Sequence, residues 1–325
     1  MNYFVTGATG FVGGVLVKKL REQGHEVHAS VRNPDKANDL QAIGAKLFKG
    51  DVTDKESLRE AMRAVDGIFH VAGWYKIGAK DKSDAERVNV QGTRNVLELM
   101  QELKIPKGVY TSTCAVNSDT RGQVVDESYH YGGKHLSEYD RTKAVAHDMA
   151  KEFIAKGLPL VIVMPGMIYG PGDTSSLRTN IIDFLNARLP MLPTQTGFCM
   201  SHVEDTVRGH ILAMERGVPG ETYILAGEPH RIADVFKLAS KLTGRRTPVI
   251  VPYQIMKLFS VLVRPFDRFL PATFTSEGLR VIAGVTYWGD NSKAKRELGY
   301  NPRPFRESWG ETLLHEMKLL SINQS

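Results

Sequence analysis

Cysteine is nearly absent, and so are the patterns that several classes of protein require. The 325 residues include two cysteines, Cys114 and Cys199, which lack the spacing of a metal-ligand set or a disulfide framework. We therefore expect no metal site, and a reducing location such as the cytoplasm. No long charged segment lacks aromatic residues and no repeat recurs, so neither a disordered tail nor a repeat fold is predicted.

Long hydrophobic runs are also missing. The most apolar stretches, 158–164 and 256–263, are far shorter than the roughly 20 residues of a membrane-spanning helix. The first residues show no basic region followed by an apolar stretch, so no secretory signal is predicted. We expect the stretch 256–263 to be buried in the core; an amphipathic face that touches a partner or a membrane surface is the alternative.

Charge of one sign is in excess but is not concentrated. The net charge is +6, yet the 42 Lys and Arg residues are scattered among 36 Asp and Glu residues, with no basic stripe that includes stacking aromatics. Nucleic-acid binding is therefore not predicted. A modest positive balance suits an enzyme that takes a phosphate-rich cofactor.

The first half of the chain does contain a regular alternation of strand and helix signals. Short runs rich in β-branched or aromatic residues alternate with segments of helical period, which is the pattern of βαβ units. The predicted strands are 2–6, 26–31, 45–49, 67–71, 108–113 and 160–164. This pattern predicts an α/β fold with a doubly wound parallel sheet.

Three glycines mark the turn after the first strand. Gly7, Gly10 and Gly13 follow that strand directly and open a helix. The first glycine allows a tight turn, the second lets the backbone approach a pyrophosphate, and the third allows the helix to pack closely on the sheet. The helix N-terminus then offers unpaired N–H groups to the phosphates. The turn predicts dinucleotide binding on a Rossmann-type sheet.

The end of the second strand favours one dinucleotide over the other. An acidic residue in this region binds the free ribose 2′-hydroxyl of NAD, but this chain has Arg32 there. A guanidinium can bind a 2′-phosphate through two hydrogen bonds. NADP is therefore the expected cofactor and NAD the alternative. The alternative that Arg32 is only a solvated surface residue, with no contact to a cofactor, stays open.

The composition changes after about residue 170, where glycine and proline become frequent. We assign 1–170 plus about 203–227 to the dinucleotide-binding Rossmann domain. The segments of about 171–202 plus 228–325 form the predicted smaller, C-terminal substrate-binding domain.

A Tyr and a Lys four residues apart form the candidate catalytic pair. Tyr139 and Lys143 share one face of a predicted helix, and an adjacent ammonium favours the phenolate form of a Tyr side chain. This spacing is frequent by chance. Its context is more specific, because the strand 108–113 ends in hydroxyl residues at the edge where parallel sheets bind ligands. Such a hydroxyl can bind a carbonyl oxygen that gains charge during hydride transfer.

Together these motifs resemble those of the extended short-chain dehydrogenases/reductases, also called the NAD-dependent epimerase/dehydratase family. The resemblance extends over roughly the first 175 residues and continues at 201–205. The matching motifs are, in order, TGATGFVG (6–13), GDVTD (50–54), HVAG (70–73), NVQGT (89–93), the hydroxyl strand, YDRTK (139–143) and PGMIYGPGD (165–173).

The resemblance implies a role for each matching position. Tyr139 is the implied acid/base, Lys143 the residue that binds the nicotinamide ribose and lowers the Tyr pKa, and Thr113 the catalytic hydroxyl, with Ser112 as the second choice. The implied cofactor-binding residues, in addition to Tyr139, Lys143 and Arg32, are Gly7, Thr9, Gly10, Phe11, Val12, Gly13, Asp51, Val52, Val71, Ala72, Gly73, Pro165 and Ile168.

Within the resemblance, the subgroup most like this chain is that of the dihydroflavonol 4-reductase-like enzymes. Sugar-nucleotide dehydratases carry Asp-Glu directly after the catalytic hydroxyl, where this chain has Cys114 and Ala115. The expected function is NADPH-dependent reduction of a small-molecule ketone or aldehyde, or the reverse oxidation of an alcohol. The alternatives are an NAD-dependent nucleotide-sugar epimerase and a non-catalytic NADP-binding sensor. The family also suggests a homodimer, whereas the substrate itself is not indicated.

Overall fold

The computed structural model describes residues 1–322 of the chain. Thirteen strands and thirteen α-helices follow one another within these residues. The strands are β1 Asn2–Thr6, β2 Glu26–Val31, β3 Lys46–Lys49, β4 Gly67–His70, β5 Gly108–Thr111, β6 Leu160–Pro165, β7 Met167–Tyr169, β8 Met191–Pro193, β9 Gly197–His202, β10 Thr222–Leu225, β11 Pro229–Arg231, β12 Val249–Val251 and β13 Thr286–Tyr287. The helices are α1 Phe11–Glu22, α2 Asn38–Ala42, α3 Glu56–Arg59, α4 Ser83–Glu86, α5 Thr93–Glu102, α6 Glu138–Ala155, α7 Ser176–Leu185, α8 Val203–Arg216, α9 Ile232–Thr243, α10 Tyr253–Leu262, α11 Ser276–Ile282, α12 Ser292–Leu298 and α13 Phe305–Leu319.

Seven parallel strands form the large sheet, in the order β10-β6-β5-β4-β1-β2-β3. The predicted doubly wound α/β fold is therefore confirmed. The strand order reverses between β1 and β4, and a crevice opens at this point beyond the carboxyl ends of the strands. The crevice is where a fold of this kind binds its ligand.

Alternating residues of the strands face two separate hydrophobic cores. In β6, Val161 and Val163 pack in the core under α1 and α8, whereas Leu160 and Ile162 pack in the core under α5 and α6. Every residue of β6 is buried. This double burial explains why the central strands are continuous apolar runs rather than alternating ones.

The second half of the chain builds a smaller layer beside this sheet. Strands β7, β9, β11 and β13 form a mixed four-stranded sheet, and α7, α9 and α13 share a core around Phe184, Phe236 and Trp309. The stretch between these parts returns to the large sheet, since β10 pairs with β6 in parallel. Residues of α12 also join the core of the large sheet, through Ala294 and Leu298.

The expectation that the stretch 256–263 is buried was wrong. It lies mostly in α10, where Met256 and Ser260 are buried but Leu258, Phe259 and Leu262 are at least half exposed. The helix packs through one side on α11, with Met256 in contact with the core residue Leu279. Within residues 1–322, no helix has the length and hydropathy that a membrane span requires.

Candidate functional site

The three glycines of the first turn permit a backbone packing that side chains would block. Gly7 has a φ of +69°, and a Cβ on it would lie 2.8 Å from the Ala72 nitrogen. A Cβ on Gly13 would lie 2.1 Å from the Gly7 carbonyl oxygen, so α1 can approach the turn only without a side chain. Gly10 precedes the helix without a side-chain cap, which leaves the first N–H groups to a ligand. This cradle fits a pyrophosphate.

The Thr6 hydroxyl ties the glycine turn to the end of β4. Its Oγ1 accepts hydrogen bonds from the backbone N–H groups of Val71 and Ala72, at 3.1 and 3.2 Å. The same oxygen lies 2.8 Å from Nδ1 of His70. These three bonds hold the segment after β4 against the turn, so that Val71, Ala72 and the following Gly73 border the cradle.

His70 is a neutral structural residue beneath this cradle. Thr93 Oγ1 donates to the Asn89 carbonyl oxygen, so it accepts from Nε2–H of His70 at 3.0 Å. Nδ1 is then the acceptor for the Thr6 hydroxyl. Burial lowers the pKa of His70 to about 3, and the charge of Lys143 is a smaller cause of the same shift. His70 therefore supports the floor of the cradle and does not titrate near neutral pH.

Asn89 connects the segment after β4 to α6. Its Oδ1 accepts from the Trp74 backbone N–H at 2.7 Å, and its Nδ2 donates to the Trp74 carbonyl and to Thr142 Oγ1, both at 2.9 Å. All of its amide groups are thus engaged in packing. Asn89 lies in a π-helical turn at 87–92, where the wider turn gives the side chain room to reach both neighbours.

Helix α6 places Tyr139 beside Thr113. Ser137 caps the helix, because its Oγ accepts from the Asp140 N–H at 3.1 Å and donates to the Asp140 carboxylate at 2.8 Å. Burial raises the pKa of Tyr139 to about 12, and the neighbouring Thr113 side chain partly opposes this rise. Thr113 is fixed in turn by the Ala115 N–H, which donates to its Oγ1 at 3.2 Å. The two hydroxyl groups therefore form one polar spot.

Lys143 reaches from α6 to the end of β5. Its Nζ donates to the Thr111 carbonyl at 2.7 Å and to the Tyr110 hydroxyl at 3.1 Å. Burial lowers the pKa of Lys143 to about 7. An ammonium has three N–H groups, so one remains for a further acceptor.

Ser112, the alternative catalytic hydroxyl, faces away from Tyr139. Its Oγ lies 2.8 Å from Nδ1 of His147, and both residues are buried. Successive residues of an extended chain point to opposite sides, which explains why Ser112 and Thr113 have different neighbours. The structure brings Thr113, rather than Ser112, together with the candidate acid/base.

Arg32 and Asp51 lie at the same edge of the sheet, because β2 and β3 are parallel neighbours. Arg32 is exposed at the end of β2. Asp51 Oδ1 accepts from the N–H and the hydroxyl of Thr53, at 2.9 and 2.8 Å. Val52 is buried, and its carbonyl accepts from Asn95 Nδ2 at 2.8 Å. Asp51 thus braces its own turn, and it stays a candidate adenine contact.

The backbone after β6 is fixed by the smaller sheet. Pro165 ends β6, and a Cβ on Gly166 would lie 2.2 Å from the Cys199 carbonyl oxygen. Ile168 then pairs with Ser201, which joins β7 to β9. Pro165 and Ile168 therefore lie at the carboxyl edge where β5 also ends.

Several buried polar residues around the site were not predicted for it. Tyr110 supports Lys143, His147 holds Ser112, and Thr142 accepts from Asn89. Each occupies a core position on a strand or helix, where a sequence pattern indicates burial alone. The one sequence signal for a role in the site was a tyrosine or histidine at a core position that an aliphatic residue usually occupies.

Other polar residues near the crevice have structural partners. Arg178 donates to the buried Glu316 at 2.8 Å and so joins α7 to α13. Arg303 donates to Asp205 and lies 2.7 Å from Nδ1 of His202. These contacts anchor the start of α8 to the C-terminal segment.

Comparison with known proteins places this geometry in a family. The family model of the NAD dependent epimerase/dehydratase family matches residues 3–226. The chain belongs to this family. It is an NAD(P)-dependent enzyme of the oxidoreductase class that acts on alcohol or carbonyl groups, and the predicted resemblance is confirmed.

Two relatives and one solved structure illustrate the similarity. The chain is 34% identical over 310 residues to the "Putative dihydroflavonol 4-reductase" of Synechocystis sp., with 91% of this chain and 89% of that protein covered. It is 32% identical over 311 residues to the 4-hydroxy-2-methyl-3-oxo-4-farnesyl-3,4-dihydroquinoline-1-oxide ketoreductase of Stigmatella aurantiaca, with 93% and 92% covered. The crystal structure of gox2253 matches with a TM-score of 0.85 at 31% identity, over 99% of each chain.

The glycine turn yields a prediction with a matched control. Gly13→Ala should raise the Kd for the bound dinucleotide at least tenfold, because the new Cβ would displace the Gly7 carbonyl at 2.1 Å. Gly14→Ala, one residue further on, meets Ala8 O at an ordinary 3.5 Å. It should leave the Kd unchanged and stabilise the helix by about 0.5–1 kcal/mol. Fluorescence titration with NADH and NADPH and thermal unfolding measure both; equal affinities for the two variants would contradict the cradle.

Proposed function

We propose that this protein is an NADPH-dependent reductase of a ketone or aldehyde, which also catalyses the reverse oxidation of a secondary alcohol. The observation that carries the proposal is the position of Tyr139 beside Thr113 at the carboxyl edge of the sheet, where the Thr113 side chain lowers the phenol pKa that burial raises. Two hydroxyl groups at one spot are suited to bind a carbonyl oxygen. The names of the two relatives, a reductase and a ketoreductase, support the same chemistry.

Tyr139 acts as the proton donor in this proposal, while the bound nicotinamide supplies the hydride. The phenol is protonated at neutral pH, and burial raises its pKa further, to about 12. Thr113 orients the carbonyl oxygen and stabilises the charge that develops on it. In the reverse direction the phenol must first lose its proton, so alcohol oxidation is expected to become faster as the pH rises.

Lys143 is assigned to the cofactor. Two of its N–H groups donate to Thr111 and Tyr110. The third N–H group donates to a ribose hydroxyl of the cofactor in this proposal. The other proposed cofactor contacts are the glycine turn, Arg32, and the edge residues Asp51, Val52, Val71, Ala72, Gly73, Pro165 and Ile168.

NADP is the proposed form of the cofactor. The residue that directly follows β2 is the exposed Arg32, a position from which a guanidinium can meet a 2′-phosphate. A cytoplasmic location, where this cofactor is available, is proposed as well. Cys114 and Cys199 agree with a reducing compartment, since both are buried free thiols whose pKa is raised by burial.

Tyr139→Phe tests the assignment of the acid. It removes the proton but little volume, so kcat should fall by about 10²–10⁴-fold while the Kd for NADPH stays within a few fold. Steady-state rates with NADPH and a panel of ketones and aldehydes, together with fluorescence titration, provide the measurement. A variant that turns over at the wild-type rate would sink the proposal.

A pair of neighbouring hydroxyls serves as the control for this test. Thr113→Val removes the hydroxyl beside Tyr139 and is expected to lower kcat. Ser112→Ala removes a hydroxyl that faces His147, and should therefore cost stability rather than turnover. The opposite ranking would assign the catalytic hydroxyl to Ser112.

Arg32→Ala tests the choice of cofactor. A charge-assisted contact with the 2′-phosphate contributes about 1.5–3 kcal/mol, so the Kd for NADPH should rise by roughly 10- to 100-fold. NADH lacks this phosphate and serves as the internal control, because its Kd should change little. Equal losses for the two cofactors, or none, would show that Arg32 does not read the phosphate.

A further inference from the structure

Exposed large apolar side chains are concentrated in one segment of the surface. Eight of the eighteen found in residues 1–322 fall within 20 residues, and we call 253–274 the apolar segment. Val261 and Phe269 are each 67% exposed. The eight residues are Ile255, Leu258, Phe259, Val261, Leu262, Phe266, Phe269 and Phe274. Single exposed apolar residues are ordinary, but a contiguous group marks an interaction surface.

The distribution of apolar residues on α10 differs from that of an ordinary surface helix. Met256 and Ser260, four residues apart, face the protein and are buried. Leu258 and Leu262 lie on the opposite side of the helix, where a surface helix normally carries polar residues, and both are more than half exposed. The outer face of α10 is thus apolar.

The apolar segment is held in place by the rest of the fold. Met256 packs with Leu279 of α11. The Asp267 carboxylate accepts hydrogen bonds from the N–H and the hydroxyl of Ser276, the first residue of α11. These contacts present the outer side chains on an ordered support.

The exposed charges of the apolar segment are all positive. Lys257, Arg264 and Arg268 are exposed. Asp267 is the one acidic residue in this stretch of the sequence, and Ser276 binds both of its oxygens. Exposed Leu and Phe side chains flanked by Lys and Arg are the composition of a segment that lies in a membrane interface. Anionic headgroups complement the three cations.

We propose that the apolar segment seats the protein on the surface of a bilayer that contains anionic lipids. The ten-residue α10 is too short to cross a bilayer, so it lies in the plane of the interface. A second copy docked on this face through a two-fold axis would bring two sets of three cations into one interface, which disfavours that occupant. The proposal goes beyond the proposed function and does not depend on it.

The apolar segment is connected to the candidate active site through α11. Glu277 of α11 accepts a hydrogen bond from the Glu138 N–H at 3.2 Å, and Glu138 directly precedes Tyr139. Arg280 of the same helix donates to the Leu136 carbonyl at 2.9 Å. Helix α11 thus connects the membrane-facing α10 to the N-terminus of α6.

Vesicle flotation with the full chain tests the proposal. The probes are vesicles of phosphatidylcholine and vesicles in which about a third of it is replaced by phosphatidylglycerol. We expect the protein to float with the anionic vesicles and to be released at about 1 M salt, where the Debye length is about 3 Å. Lys257→Gln, Arg264→Gln and Arg268→Gln should each weaken this binding by about fivefold.

Two matched double variants test the apolar part. Leu258→Ser with Leu262→Ser should reduce the partition coefficient at least tenfold and leave the unfolding temperature unchanged or higher. Val124→Ser with Leu314→Ser changes two residues elsewhere that are about half exposed, and this variant should bind like the wild type.

Three outcomes would overturn the proposal. The first is no flotation with anionic vesicles, and the second is equal flotation of both double variants. The third is a dimer in sedimentation equilibrium that Leu258→Ser with Leu262→Ser dissociates while no vesicle binds; the face would then join two copies of this chain.

Discussion

The contact between the glycine turn and the end of β4 is the constraint on which the site depends. Gly7 and Gly13 have no room for a Cβ, and the Thr6 hydroxyl binds the two N–H groups that follow His70. This packing closes the crevice floor at the point where the strand order reverses. The candidate site residues on β5, β6 and α6 are positioned relative to that floor.

The chemistry of the site follows from burial more than from charge pairing. Tyr139 is a phenol whose pKa burial raises above its ordinary value, and Lys143 is held by a carbonyl and a phenol rather than by an acid. A protonated phenol beside a hydroxyl is suited to the reductive direction. The buried ammonium gains most from a ligand that offers it a further oxygen.

Local signals allowed much of this to be predicted from the sequence. The glycine turn and the six strands of the first half depend on residue spacing, and the strand ends were within two residues of those observed. The choice between Ser112 and Thr113 depends on which way one residue points, and the partner of Lys143 depends on β5 rather than on its own helix. The stretch 256–263 was assigned to the core because its residues are apolar, but hydropathy does not show whether other residues pack over them. Such features arise from tertiary contacts.

The most direct test of the proposed reaction is to follow the hydride with NADPH in which both hydrogens at C4 of the nicotinamide are replaced by deuterium. After incubation with a ketone or aldehyde that the enzyme consumes, mass spectrometry locates the label. The account predicts an alcohol with one deuterium on its carbinol carbon, formed in step with the loss of NADPH. An unlabelled product, or a change of configuration without net loss of NADPH as in an epimerase, would contradict it.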